Sequence, residues 1–149
     1  IPVIVSGTHV MPAREDSAYD DGYTLPARLA AAGVRFTISH ADDSAHERNL
    51  PYTVAMAVAH GLEHDAALRC VTLGAAEILG VADRYGSLEA GKSATMIVTT
   101  GDPLEVMTQI TGAYIDGRKI DLSNKQTELN EKYRDRYRQS GQLKESTKQ

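Results

Sequence analysis

Apolar positions along the chain change their period more than once, and those changes mark out its elements. Residues 2–6 form a short, nearly continuous apolar run, the pattern of a strand in a parallel sheet. Gly7, Thr8 and His9 end it, and residues 12–22 read as a polar loop rich in Asp and Glu. Residues 23–32 predict a helix: Leu25, Leu29 and Ala32 share a face, Pro26 falls in the first turn, and Gly33 closes it. In residues 34–39, Val34, Phe36 and Ile38 alternate with polar or small partners, as in a strand. A second helix follows, with Asn49 as its N-cap, Pro51 in its first turn and Gly61 at its end. Strand, helix, strand, helix is the rhythm of a parallel sheet with right-handed crossovers.

Residues 65–79 continue in helical period, with Leu68, Val71, Ala75, Ile78 and Leu79 on one side. Thr72 and Gly74 mark a break into two shorter helices, the second capped by Thr72, and Gly80 ends it. The period then falls from 3.6 to 2. Residues 95–99 predict a strand between Gly91-Lys92 and Gly101-Asp102-Pro103. Residues 110–115 and 118–120 predict a hairpin, joined by the Asp116-Gly117 pair that favours a type I′ turn. Beyond Asp121 the chain is polar. Leu129, Tyr133 and Tyr137 make one narrow helical stripe, expected to pack on the body or on a neighbouring subunit, and fraying or disorder is expected from Ser140.

Between the strand at 34–39 and the helix from 50, the sequence becomes abruptly ionisable. His40, Asp42, Asp43, His46, Glu47 and Arg48 fall within nine positions. A strand feeding a charged loop feeding a helix is how α/β enzymes present reactive groups on a rigid scaffold, although a solvated loop has the same composition.

Composition narrows the class. The 149 residues are 42% hydrophobic and 24% charged, as in a globular chain, and amount to one domain or part of a larger one. No apolar run approaches the roughly 20 residues that cross a bilayer, so no membrane partner is expected. Residues 1–120 carry 15 acidic and 9 basic side chains, and residues 121–149 carry 5 and 7. The basic tail also holds acids and has only two tyrosines, so no nucleic-acid partner is expected. A single Cys70 in an apolar helical pattern excludes an intrachain disulfide and a Cys-based zinc site, and reads as a buried structural thiol. The chain opens without Met, already within an apolar run, and so reads as the C-terminal part of a longer polypeptide. Its compartment is left open between cytoplasm and periplasm.

Three short motifs, in order, carry a family resemblance: Ala76-Glu77-Ile78-Leu79-Gly80, Gly86-Ser87-Leu88-Glu89-Ala90-Gly91-Lys92 and Ile115-Asp116-Gly117-Arg118. Together they resemble the C-terminal signature of the metal-dependent amidohydrolase superfamily, most closely its imidazolonepropionase-like or prolidase-like branch. The resemblance spans nearly all of residues 1–120. It implies an α/β fold: the last two βα units of a (β/α)8 TIM-type barrel plus the C-terminal strands of a companion β-sandwich, the composite domain of metallo-dependent hydrolases. Residues 1–80 would belong to the barrel, 81–121 to the sandwich, and 122–149 to a C-terminal helix and flexible tail. The partners implied are a small-molecule substrate, the N-terminal barrel segment and a possible second copy in a homo-oligomer.

The resemblance also implies a divalent metal, expected to be zinc, with most of its ligands in the N-terminal segment. In the family the last barrel strand ends in an Asp that binds metal and handles the proton of the attacking water. Here Ala41 stands at that place and Asp42 one residue later, either a bulge that re-aims the side chain or a degenerate site. Asp42 is the expected catalytic residue and metal ligand, with Asp43 as the register alternative. His40, Asp43, His9 and Arg48 are the expected substrate-binding residues. His9 could equally be a surface loop side chain, His40 could touch metal or substrate or neither, and Arg48 could bind a substrate carboxylate bidentately or remain solvated or ion-paired. His46 and Glu47 precede the helix, where the Glu47 carboxylate would favour its N-terminus electrostatically. His60 and His64, at a helix junction, are assigned to structure. A hydrolase acting on a non-peptide C–N bond, in a cyclic amide or amide-like small molecule, is the first functional expectation. A non-catalytic amidohydrolase-like subunit with an assembly or binding role is the second.

Overall fold

The computed structural model describes residues 1–12, 14–40 and 44–142, with the backbone alone at 44–46. Two parallel strands, β1 (Val3–Ser6) and β2 (Phe36–Ser39), pair in the register Val3–Phe36 through Ser6–Ser39. The crossover between them is α1 (Asp21–Ala31). A 3-10 helix (Ser44–Asn49) leads from β2 into α2 (Leu50–Ala59), and α3 (His64–Cys70) and α4 (Leu73–Leu79) follow. A separate antiparallel sheet has the order β3 (Met96–Thr99), β4 (Ile110–Ile115), β5 (Arg118–Lys119). The last element is α5 (Lys125–Gln139).

The core gathers where the parallel strands meet the helices: Val5, Ile38, Val54, Ala57, Leu62, Ala67 and Cys70, with Leu104 reaching in from the loop after β3. α2 is apolar on nearly every side, as a helix sunk into a core must be, and Val54 and Ala57 have no exposed surface. Sealing a side chain of Val or Leu size contributes about 1.5–3 kcal/mol. Val5 alone of β1 is buried; Ile4, on the opposite face, is more than half exposed.

Several local expectations need correction. α1 begins at Asp21, two residues before the expected start, so Gly22 is helical and Pro26 lies inside the helix, buried. Gly22 is held there by crowding: a Cβ would stand 2.8 Å from Val10 Cγ2 and 2.9 Å from the Thr8 carbonyl oxygen. Asn49 does not cap α2 through its side chain, because it ends the 3-10 helix in αR geometry and its carbonyl accepts the Thr53 hydroxyl. Thr72 does not cap α4 either; its hydroxyl turns back and donates to the Leu68 carbonyl at 2.7 Å.

Other readings stand. The helical run breaks between Cys70 and Leu73, and Gly80 ends α4 in the left-handed conformation. Asp116 and Gly117 turn β4 into β5 with φ of 49° and 78°, the type I′ geometry. α5 forms with an Asn124–Thr127 capping box, but it buries no residue and its Leu129, Tyr133, Tyr137 stripe is exposed within this chain. Residues 143–149 lie outside the described residues. Among the described residues no helix is long and apolar enough to cross a membrane.

Candidate functional site

Both parallel strands point their carboxyl ends the same way, so the segments leaving them meet. Gly7, Thr8 and His9 leave β1, and His40 leaves β2. α2 lies against these exits, and its first turns carry Tyr52 and Thr53. A cleft of about 400 Å³ opens there, lined by His9, His40, Asn49, Tyr52 and Thr53. Ligand sites of α/β folds gather at this end of the strands, because each strand delivers a loop there from a fixed position.

The walls of the cleft are tied together by hydroxyl groups. Thr8, fully buried, donates from Oγ1 to the Thr53 carbonyl at 2.9 Å. Thr53, itself 1% exposed, places Oγ1 3.3 Å from the Asn49 carbonyl and 3.3 Å from His40 Nδ1. The exits of β1 and β2 are thus fastened to one residue of α2. The His9 ring meets Tyr23 of α1 edge-on at 5.8 Å between centroids, and Tyr23 stacks on His60 at 4.9 Å and 22°. Aromatic contacts of this kind contribute about 0.5–1.5 kcal/mol beyond burial. His60, assigned to structure from the sequence, is the outer ring of that stack.

Of the expected site residues, His9 and His40 are brought to one cleft. Arg48 is exposed on the 3-10 helix and is not among the cleft-lining residues. Asp42 and Asp43 lie outside the described residues, as does the His46 side chain. Thr8, Tyr52 and Thr53 were not singled out as site residues from the sequence, and Asn49 was read only as a helix cap. The available signal was weak: a threonine four residues beyond Asn49 in an otherwise apolar helix, whose hydroxyl must bond to something once buried.

Imidazole nitrogen is a usual zinc donor, and two histidines face this cleft. Among the described residues no group of three or more His, Cys, Asp or Glu side chains could hold an ion. The described residues therefore fit a zinc site only as part of its donor set.

Away from the cleft, His64 at the start of α3 places Nε2 2.6 Å from Asp102 Oδ2 and Nδ1 3.5 Å from Asp65 Oδ1. Hydrogen bonds to those two carboxylates, Asp102 first, hold the His64 pKa above its ordinary value. The Leu104 backbone N–H, then His64, holds Asp102 below the usual carboxylate range. Glu63 caps α3 by accepting from the Ala66 N–H at 2.8 Å, and its pKa is lowered by the backbone donors of Asp65 and Ala66. Burial pushes the Cys70 thiol up to about 11, which leaves it protonated and unreactive at neutral pH, the structural role expected of it.

Parallel strands joined through a helix, with polar side chains converging at their carboxyl ends, define an α/β fold. Comparison with known proteins narrows this: the amidohydrolase family model matches residues 4–125, and the chain belongs to that family. A 58-residue stretch, 39% of the chain, is 40% identical to amidohydrolase tasK of Hapsidospora irregularis and covers 6% of that protein. An amidohydrolase from Thermotoga maritima superposes on 72% of the chain at TM-score 0.64 and 25% identity, the match covering 29% of the solved chain. An adenosine deaminase from Xanthomonas campestris with bound zinc superposes on 76% at TM-score 0.51 and 27% identity. A 5-methylcytosine deaminase from Klebsiella pneumoniae, liganded with phosphonocytosine, shares the fold over 83% at TM-score 0.60 and 23% identity. The chain spans about a third of the length of each of these last two.

Proposed function

We propose that the chain forms the carboxyl-terminal section of a metal-dependent hydrolase that cleaves a non-peptide C–N bond in a cyclic amide or amide-like small molecule. The observation that carries this reading is the convergence of His9 and His40 in one cleft at the carboxyl ends of two parallel strands, in a chain of the amidohydrolase family. β1 and β2 are the seventh and eighth strands of a (β/α)8 barrel, and residues 81–121 contribute strands to a companion β-sandwich. The exposed face at Ile4 supports a larger sheet, as does the one-third share of similar structures that the chain covers. The three motifs between Ala76 and Arg118 favour the imidazolonepropionase-like or prolidase-like branch.

Zinc, when bound, makes hydroxide available at neutral pH by lowering the pKa of a coordinated water to about 7. His9 and His40 border the substrate cleft, and Asp42 contributes to holding the ion. Asp42 also accepts the proton of the attacking water and returns it to the leaving nitrogen, as general base and then acid. Asp43 is the register alternative, and Arg48 receives an acidic group of the substrate from outside the cleft.

The test compares metal content and turnover, against cyclic amides and acylated amino acids, of Asp42→Asn, Asp43→Asn and the parent in the polypeptide carrying the whole barrel. Asp42→Asn is expected to lose about 10²–10⁴-fold in rate and to bind less metal, and Asp43→Asn much less of either. Equal activity in Asp42→Asn and the parent overturns the assignment, and inactivity confined to Asp43→Asn moves it by one residue. A parent with neither turnover nor metal points to an assembly role instead.

A further inference from the structure

Asn49 stands where a helix would ordinarily use it as a cap, and its side chain caps nothing. Its backbone, at φ −87° and ψ 0°, continues the preceding 3-10 helix in αR geometry, whereas a capping residue needs an extended one. Pro51, in the first turn of α2, has no N–H to offer it. The Thr53 hydroxyl holds the Asn49 carbonyl at 3.3 Å, and the Thr53 carbonyl is tied in turn to Thr8 at the exit of β1. Among the described residues the Asn49 side chain makes no hydrogen bond, although the residue is half-buried and lines the cleft. Its carboxamide is left for something that enters. A carboxamide is two-pronged: its oxygen accepts and its NH2 donates, side by side in one plane. The complement is another amide with N–H and C=O on the same edge. Open-chain secondary amides are trans and put those groups on opposite edges, while a small ring holds its amide cis.

We propose that Asn49 determines the specificity of the cleft by pairing edge to edge with a cis amide, as in a lactam, an imide or a cyclic ureide, and so selects cyclic over open-chain amides. Asparagine reads adenine by the same paired donor and acceptor. The volume of about 400 Å³ suits a small ring, and Tyr52, next on that wall, offers it an aromatic surface. Both bonds lie in the plane of the amide, and water attacks an amide carbonyl from above that plane, so a ligand held by its edge keeps its carbon open. The assignment deepens the proposed hydrolase reading and rests on it for the reaction, but the binding preference is a property of Asn49 itself.

That independence sets the test. The polypeptide carrying the whole barrel is titrated with 2-pyrrolidone, whose ring holds N–H and C=O cis, with N-methyl-2-pyrrolidone, the same ring without its N–H, and with N-methylacetamide, an open-chain trans amide. Dissociation constants come from ligand-observed NMR, which needs no turnover. The parent is expected to bind 2-pyrrolidone about 10–100-fold more tightly than either of the others. Asn49→Ala, with neither prong, is expected to bind all three alike. Asn49→Asp, which accepts but cannot donate, is expected to bind 2-pyrrolidone and N-methylacetamide alike. A parent that binds the three equally, or none of them, overturns the proposal, as does a preference for 2-pyrrolidone that survives in Asn49→Ala. If Asn49→Ala does not fold, Asn49→Asp decides it, since a carboxylate is favoured at a helix N-terminus. A preference that depends on Asn49, in a parent that hydrolyses no C–N bond, upholds this inference and defeats the hydrolase reading alone. C–N hydrolysis without the preference does the reverse.

Discussion

Val54, Ala57 and Ala67 in the parallel-strand region have no exposed surface, whereas Ile97, Val98, Ile110 and Ile115 of the antiparallel sheet are each about half exposed. Both regions are rich in β-branched and aliphatic residues, so composition does not separate them. The difference is that four helices pack around β2, while among the described residues no helix packs comparably on the small sheet. Between α4 and that sheet an apolar cleft of about 730 Å³ remains, bordered by Leu79, Leu88, Met96 and Ile115 among others. Two strands and a short hairpin return bury too little to stand alone, so the antiparallel region depends on where it is anchored to the helical one.

The anchors are few and can be named. Leu104 leaves the loop after β3 and enters the core beside Val5, Ile38 and Val54. Asp102 sets that turn, accepting the Leu104 N–H on Oδ1 at 2.9 Å while its Oδ2 takes His64 of α3. Gly86 packs so closely on α4 that a Cβ would stand 2.8 Å from both Ala76 Cβ and Leu73 Cα. One region is held by its own core, and the other is held to it by a loop, a carboxylate and a close glycine contact.

The largest test of that contrast is a pair of truncations. Leu104→Ala should destabilise the protein by about 2–5 kcal/mol, as for other buried leucines. Ile97→Ala, of similar size but half exposed, should stay within about 0.5–1 kcal/mol. Denaturant midpoints measure both, and equal losses would mean that the sheet has a core of its own.

A smaller effect concerns the carboxylate anchor. Only the imidazolium form of His64 can donate to Asp102 and Asp65 together. Its raised pKa makes its contribution fully present below the ordinary histidine value and lost as pH rises through the raised one. Asp102 has the opposite sign: its lowered pKa gives a contribution present above the ordinary carboxylate value and lost as pH falls through the lowered one. The stability gap between the parent and His64→Gln should therefore be widest in mildly acidic solution and narrow on both sides. Melting temperatures across pH test this, and a gap that does not vary would show that the pair is neutral in its effect.

The smallest effect is expected at α5. It buries no residue in this chain, so ending the protein after Asp121 should change its stability by no more than about 0.5 kcal/mol. Hydrogen exchange in residues 126–138 slower than an isolated helix allows would show instead that the Leu129, Tyr133, Tyr137 stripe is covered by a neighbouring subunit.

Much of the fold was legible because its signals are local. The Asp116-Gly117 turn, the left-handed Gly80 and the alternation in β2 follow from backbone preference and period within a few residues. The caps were misread at Asn49 and Thr72 for a reason that is also local but finer. A hydroxyl or amide at a helix start has two competing partners, and the preceding 3-10 turn at Asn49 and the Leu68 carbonyl at Thr72 won. His9 and His40 were legible as candidates, because each directly follows or closely trails a strand end.

Sequence alone determined the order of elements, the family signature and the structural character of Cys70, since each rests on residue type and spacing along the chain. Tertiary structure alone decided that Thr8, Thr53 and His40 share one hydrogen-bonded corner, that His64 finds Asp102 38 positions away, and that Leu104 belongs to the helical core. Nothing in the local pattern of a threonine, a histidine or a leucine says which distant group will satisfy it. That choice is made when the parallel pairing of β1 and β2 brings their exits together over α2, and burial then obliges every polar group there to find a partner.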